Sequence, residues 1–308
     1  MSAVQIRPFR RSDRDQVAWL VNMHAAAVVP AVSASVNAVL GQFEREPDEF
    51  IVDPWVAERA ALVAEVGGSV AAAALVVRYR DDEDVSPGYR GAADIRWLLF
   101  RPHTPPGNPY WPSADAAAED LMTACLARCA RWGGTRVLAD GALPVPGVYG
   151  VPAQWPHIEA LYRRSGFAAP DDAVEIVHLL DVNRGAGRRP AGAGLTLERS
   201  VGTNGTRFSA VHGGEAIGYL EVEVLDGAER HPRGSGLADV GNLHVRPDRR
   251  RQGVATLLLG EAVHWLRLGR VDRLLHYARS DETALLAFVE RAGFEELTRT
   301  RRGWERSP

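Results

Sequence analysis

The sequence predicts two α/β units in tandem, and three observations carry that prediction. The chain has 308 residues, more than a single hydrophobic core comfortably serves and suited to two domains of ~150 residues. A stretch at 183–194, NRGAGRRPAGAG, is Gly, Ala, Pro and Arg, with nothing from which to build a core, and reads as a linker. It divides the chain into an N-terminal part, 1–182, and a C-terminal part, 195–308. The order of elements then repeats across the linker, and the repeats end alike, ALYRRSGF at 160–167 and AFVERAGF at 287–294. That is the mark of an internal duplication.

In the first part, a short strand is expected from Val4 to Pro8, and Ser12 with Asp13 can cap a helix running to about Val28. A second helix is expected from Ser33 to Glu46. The apolar runs Ala61 to Val66 and Val70 to Tyr79 flank Gly67-Gly68 and read as a hairpin. Asp94 to Phe100 is a strand. Ser113 can cap a helix through Trp132, with apolar residues at 118, 121, 122, 125, 126 and 129. Val137 to Ala139 is a short strand, Trp155 to Ser165 a helix ended by Gly166, and Val174 to Leu180 a closing strand. The second part lacks the two leading helices. It offers a strand Leu195 to Glu198, a hairpin Thr206 to Val211 with Ala216 to Leu225, a strand Asp239 to Val245 and a helix Gly253 to Leu268. A strand Arg273 to Tyr277, a helix Asp281 to Arg291 and a last strand Phe294 to Arg301 follow. Strands first, then strand alternating with helix, imply an α/β unit.

Hydrophobic residues make up 46% and charged residues 24%, which is ordinary globular composition. The net charge of −3 gives no overall field to recruit nucleic acid or an anionic membrane, so neither is expected as a partner. No apolar run approaches the ~20 residues that span a bilayer. The N-terminal MSAVQIRPFRRSDRDQ has no apolar core of signal-peptide length, and the expected location is the cytoplasm. Cys125 and Cys129 share a helix face and read as two buried apolar groups. No further ligands stand near them for a metal, and none is expected.

The stretch that carries chemistry is GNLHVRPDRRRQGVATLLLGEAVHW, 241–265. A strand ends at Val245, a basic loop follows, and a helix starts near Gly253. The free backbone N–H groups of a helix start point outward and the helix dipole adds partial positive charge. Gly253 lets a bulky phosphate approach the backbone, Ala255 keeps the next contact small, and Arg249, Arg250 and Arg251 add charge. Together they suit a pyrophosphate.

Here the sequence resembles a family. Arg250-Arg251-Gln252-Gly253-Val254-Ala255 matches the R/Q-x-x-G-x-G/A signature of the GNAT acetyltransferases. LHVRPDRR at 243–250 resembles the family's strand-plus-loop entry, and AGF at 292–294 its last helix-to-strand corner. The resemblance implies two tandem GNAT-like domains, each a mixed, mostly antiparallel central sheet flanked by helices. It implies acetyl-CoA as cosubstrate, held by Leu243, His244 and Val245 along the pantetheine arm and by Arg250, Arg251, Gln252, Gly253, Val254, Ala255 and Thr256 at the pyrophosphate. His244 alternates with Leu243 and Val245 and so faces the other side, as a structural His would. The acceptor implied is the primary amine of a small molecule, and the protein is expected as a monomer or homodimer.

The amine must lose a proton, since an ammonium of pKa ~10 is no nucleophile. The oxyanion needs a donor, which a strand N–H near Leu243 to Val245 can supply. In many family members a carboxylate four residues before the strand Leu is the base; that position is Asp239, with Glu221 and Glu223 as rivals on one face of the preceding strand. Val289 stands where the family often has a Tyr acid, and Tyr277 is a candidate to replace it. In the first part Tyr162 holds that Tyr position, but RPHTPPGNPYWPSADAAAEDL at 101–121 lacks the phosphate signature, and its five prolines cannot present consecutive N–H groups. That copy reads as one with a degenerate phosphate loop. The Pro-rich segment 141–162 brings Tyr149 and Trp155, with Trp111, as candidates to line an acceptor pocket or simply to pack. The alternative to an enzyme is a non-catalytic sensor of acyl-CoA or of an amine ligand, built on a degenerate tandem acyltransferase.

Overall fold

The computed structural model describes residues 3–44, 53–102, 114–134, 136–139, 141–184, 194–225 and 236–306. It divides into two compact units, residues 1–174 with 300–308, and residues 175–299.

The first unit holds β1 (Val4–Pro8), α1 (Arg14–Val28), α2 (Val36–Phe43), β2 (Val56–Val66), β3 (Ser69–Tyr79), β4 (Ala93–Phe100), α3 (Ala114–Arg131), β5 (Val137–Leu138), β6 (Val151–Pro152) and α4 (Pro156–Arg164). β2 and β3 pair antiparallel around Gly67 and Gly68, both at positive φ, as the hairpin expectation requires. β3 is nearly all Val and Ala and is buried along its length, the pattern of a central strand covered on both faces. Cys125 and Cys129 are free and buried in α3, packed as small apolar groups.

The second unit begins earlier than the linker suggests. It holds β7 (Val174–Asp181), β8 (Leu195–Gly202), β9 (Gly205–His212), β10 (Glu215–Val224), β11 (Gly236–Val245), α5 (Val254–Leu268), β12 (Val271–Arg279), α6 (Thr283–Arg291) and β13 (Glu295–Arg301). The strand read as closing the first part instead pairs antiparallel with β12, from Arg273↔Asp181 to Arg279↔Glu175. In exchange, the C-terminal β14 (Glu305–Arg306) pairs with β5 and closes the first unit's sheet, with Trp304 fully buried there. Alternation along a strand fixes which face is apolar and says nothing about which edge it joins, so this exchange has no signature in the local pattern. The residues 185–193 of the expected linker lie outside the described residues.

Both sheets are mixed and mostly antiparallel. The first runs β1-β2-β3-β4-β5-β14, with β4 and β5 parallel. In the second, β8, β9, β10 and β11 follow one another antiparallel, then β11 and β12 pair parallel. α5 covers one face of this sheet: Val254, Leu258, Leu259, Ala262, Val263 and Leu266 pack on Phe208, Leu220, Val222, Ala238, Val240 and Leu274. Among the described residues, no helix is long and apolar enough to cross a membrane.

Candidate functional site

The second unit's sheet comes apart at one place. β11 and β12 pair only from Gly236↔Val271 to Asp239↔Leu275. Beyond Asp239, β11 continues to Val245 bonded to β10 alone, while β12 takes β7 as its partner. Among the described residues, the edge of β11 from 240 to 245 that faces away from β10 therefore has no strand against it. A bulge lies at the parting. Val240 pairs with Val222 and Asn242 with Glu221, which leaves Gly241 as the extra residue. A Cβ at Gly241 would stand 2.6 Å from the Cβ of Asn204, so the bulge fits only glycine there. The bulge also shifts the alternation. Ala238 and Val240 face α5 before it, Leu243 and Val245 after it. His244 is exposed on the opposite face, its ring 5.7 Å from that of Tyr219.

The free edge leads straight into the turn before α5. After a short 3₁₀ turn at Pro247–Arg249, Arg251 lies at φ = +60° and Gly253 at φ = +83°. α5 starts at Val254 with Gly253 as its N-cap and no side-chain cap. The first helical amides, Val254, Ala255 and Thr256, thus have no intrahelical acceptor, and the first bond of the helix is Leu257 N–H to Gly253 O at 2.9 Å. A Cβ at Gly253 would meet nothing within 4 Å, so the left-handed backbone, rather than crowding, demands glycine, and the space above these amides is open. The basic side chains have distinct tasks. Arg250 folds back to donate to Val245 O at 3.1 Å, tying the turn to the strand end. Gln252 donates to Asp248 O at 3.0 Å. Arg246 pairs with Glu215 and Asp248 at 3.0 Å. Arg251 is exposed.

Asp239 stands at the last residue before the strands part, on the face away from α5. Burial pushes its carboxyl up to about 6, and the carboxylate of Glu223 adds to the shift. Its Oδ1 is buried with no hydrogen-bond partner. Tyr277 lies on the same face of β12, two residues beyond Asp239's partner Leu275, with its hydroxyl buried. Glu221 is a different kind of residue. It is 0% exposed and accepts from Arg207 Nε at 2.7 Å, Asn242 Nδ2 at 2.8 Å, Thr203 N at 3.1 Å and Asn204 N at 3.4 Å. Burial raises its carboxyl, but the hydrogen bonds from Asn242, Arg207 and Thr203 outweigh that and hold it below the usual range. Such a carboxylate clamps the β8–β9 turn and has no lone pair to spare for a proton. We expect Glu221→Ala to cost about 3–5 kcal/mol by stranding buried donors, read as a drop in denaturant midpoint.

Val289, which stands where the family often has a Tyr acid, is 0% exposed and packs in the second unit's core. Burial raises the Cys125 thiol strongly and pushes Cys129 up to about 12, so neither is a ready nucleophile. In the first unit, residues 103–113, including Trp111, lie outside the described residues. There the corresponding strand edge is taken: Ala142 N–H bonds Arg96 O on β4 at 3.0 Å. Trp155 is buried and donates to His24 O at 3.1 Å, and Tyr162 is buried against Phe167 and Trp304, so both pack the unit's core. Tyr149 is half-buried beside Arg302.

The register of Glu223 against Asp239 is the part of the site that sequence reasoning missed. Glu223 appeared only as a rival base, because opposition across two strands is set by the bulge and has no signal within one strand.

Residues 175–294 match the family model described as Acetyltransferase (GNAT) family. No curated protein matches the sequence. Among solved structures, a tandem GNAT protein from the clavulanic acid biosynthesis pathway covers 98% of this chain and 98% of its own, at 18% identity and TM-score 0.65. A GCN5-related N-acetyltransferase from Sphaerobacter thermophilus covers 98% of this chain and 95% of its own, at 15% identity and TM-score 0.60. A glucosamine N-acetyltransferase region of a fungal multi-domain GH3 β-N-acetylglucosaminidase covers 99% of this chain and 38% of its own, at 13% identity and TM-score 0.64. At these identities the likeness is one of fold, and it spans both units. Residues 175–294 thus carry the sequence pattern of the GNAT acetyltransferase family, and the fold across both units is like that of tandem GNAT proteins.

Proposed function

We propose that the protein transfers an acetyl group from acetyl-CoA to the primary amine of a small molecule, directly, in a ternary complex in the cytoplasm, with the second unit as the working site. The observation that carries this is the continuity of an unpaired strand edge, 240–245, with the uncapped helix start at 253–256. An amide-bearing arm can add to the open edge as a strand would. The amides of Arg251 to Thr256 and the charge of Arg251 suit a pyrophosphate, with open space above Gly253 to receive it. Asp239, at the parting, takes a proton from the ammonium of the acceptor. The free amine attacks the thioester carbon, and a β11 N–H between 243 and 245 steadies the oxyanion. As coenzyme thiolate leaves, the acylated nitrogen sheds its second proton, which the thiolate takes up, while the proton on Asp239 passes to solvent. A thiol of pKa ~8.5 places little demand on a general acid, which accords with Val289 in the core.

The test is free-thiol release from acetyl-CoA across a panel of small primary amines. Turnover with at least one amine is expected. Arg250→Ala should weaken acetyl-CoA affinity about tenfold, because the turn loses its tie to Val245 and a positive charge beside the phosphates. Binding of coenzyme A with no thiol release from any amine would leave the second reading, a non-catalytic acyl-CoA sensor, which the missing hydroxyl at 289 favours.

A further inference from the structure

Glu223 sits directly opposite Asp239 in the β10–β11 register, and Val224↔Ala238 and Val222↔Val240 flank the pair. Directly opposed residues on one face of an antiparallel pair have Cβ atoms ~4.5–5.5 Å apart. Two carboxylates at that spacing are an unfavourable choice for a strand pair unless something is gained, because like charges face each other.

The other charged groups on this face do not relieve it. Glu221, two residues along β10, is anionic too, but Arg207 of β9 and Asn242 of β11 already neutralise and saturate it. On β12, Asp239's own partner is the apolar Leu275. Arg273 and Tyr277 flank Leu275 on that face, and β7 sets Asp181 opposite Arg273 and Val177 opposite Tyr277. Burial and Glu223 are what act on Asp239. Glu223 itself is exposed, and among the described residues no Arg pairs with it.

We propose that Glu223 is a positioning residue for Asp239. Facing it across the strand pair, its carboxylate makes Asp239 a stronger base and stabilises the proton that Asp239 takes from the acceptor. The inference rests on the reading of Asp239 as the base. The step is a plain proton transfer. The ammonium becomes an amine, the pair of carboxylates becomes one carboxylic acid beside one carboxylate, and the proton goes on to solvent after acetyl transfer. A lone buried carboxylate gains proton affinity by desolvation alone; a second carboxylate facing it across the strand pair adds to that gain.

The experiment needs no acceptor. Full-length protein labelled with ¹³C at the Asp carboxyl carbons is titrated by NMR, with Asp239→Asn to assign the signal. Asp239 is expected to titrate near 6 in the wild type. In Glu223→Gln its midpoint should fall by about half a pH unit or more, a roughly threefold or larger loss of proton affinity, and Glu223→Asp should restore most of it. An unchanged midpoint in Glu223→Gln overturns the proposal. A second measurement requires no variant at Glu223. With ¹³C at the Glu side-chain carboxyls, the chemical shift of the Glu223 carboxyl carbon, which faces Asp239 across the strand pair, should respond as Asp239 takes up its proton. A Glu223 signal that does not respond to Asp239 also overturns it. Neither result depends on acetyl transfer, whose failure would show separately as absent thiol release.

Discussion

Asp239→Asn should lower turnover by about 10²–10⁴-fold, the usual contribution of a positioned general base, and leave the affinity for acetyl-CoA unchanged. The affinity is spared because the coenzyme contacts proposed here are main-chain amides of 240–245 and 251–256, and Asp239 points away from α5 on the other face. With a carboxyl pushed up to about 6, the wild-type kcat/KM should fall about tenfold per pH unit below that value, as Asp239 becomes protonated and stops acting as a base. The same substitution should stabilise the fold. The folded-state value lies above the unfolded one, so the native state favours the protonated form. Its stabilisation by that group is full below the unfolded value of 3.8 and is lost as pH rises through about 6. Asn removes the buried charge. At pH 7.5 the variant should be more stable by about 1–2 kcal/mol after allowance for partial exposure, and the difference should vanish near pH 4. Thermal melting across pH reads both ends. A variant less active and more stable at pH 7.5 is a combination expected of a functional residue held at a cost to the fold. A variant equally active from pH 6 to 9 would remove Asp239 from the chemistry.

Gly253→Val should abolish detectable coenzyme binding in the micromolar range, a loss of about 10²-fold or more. A β-branched residue at φ = +83° is a genuine backbone outlier, and the cost of the left-handed region is about 1–2 kcal/mol before the second branch is counted. The turn would relax toward negative φ and swing the amides of Gly253 and Val254 out of alignment. The added side chain would also fill the open space above the helix start. The fold should lose little, because Gly253 is exposed and its Cβ would strike nothing. Calorimetric titration with coenzyme A, paired with a melting curve, separates lost binding from lost structure. Undiminished affinity in a folded Gly253→Val protein would mean the pyrophosphate rests elsewhere.

The sequence was most informative where chemistry is local. A strand, a basic loop, a glycine and an amphipathic helix stand in one contiguous run, 241–265, and the structure starts α5 beside that glycine, whose positive φ the run itself did not announce. The hairpins at Gly67-Gly68 and at 212–214 were legible for the same reason, since a turn announces itself in its own residues. What the sequence withheld is non-local. β7 looks like any half-buried strand, and nothing in VEIVHLLD says that it joins β12 across the linker. Glu221 and Glu223 are two residues apart on one strand and looked interchangeable. The fold separates them: Glu221 is placed under four donors, and Glu223 is placed against Asp239. The difference arises from the β9 and β11 residues opposite each, and from the single extra residue, Gly241, that sets the register between them.

The central claim is that the open edge of β11 and the turn into α5 receive the coenzyme. The most direct measurement is a crystal structure of the full-length protein grown with coenzyme A. The expected result is a diphosphate within hydrogen-bond reach of the main-chain amides between Arg251 and Thr256, with the pantetheine arm lying along residues 240–245. A nucleotide bound in the first unit, with the turn at Gly253 unliganded, would contradict it.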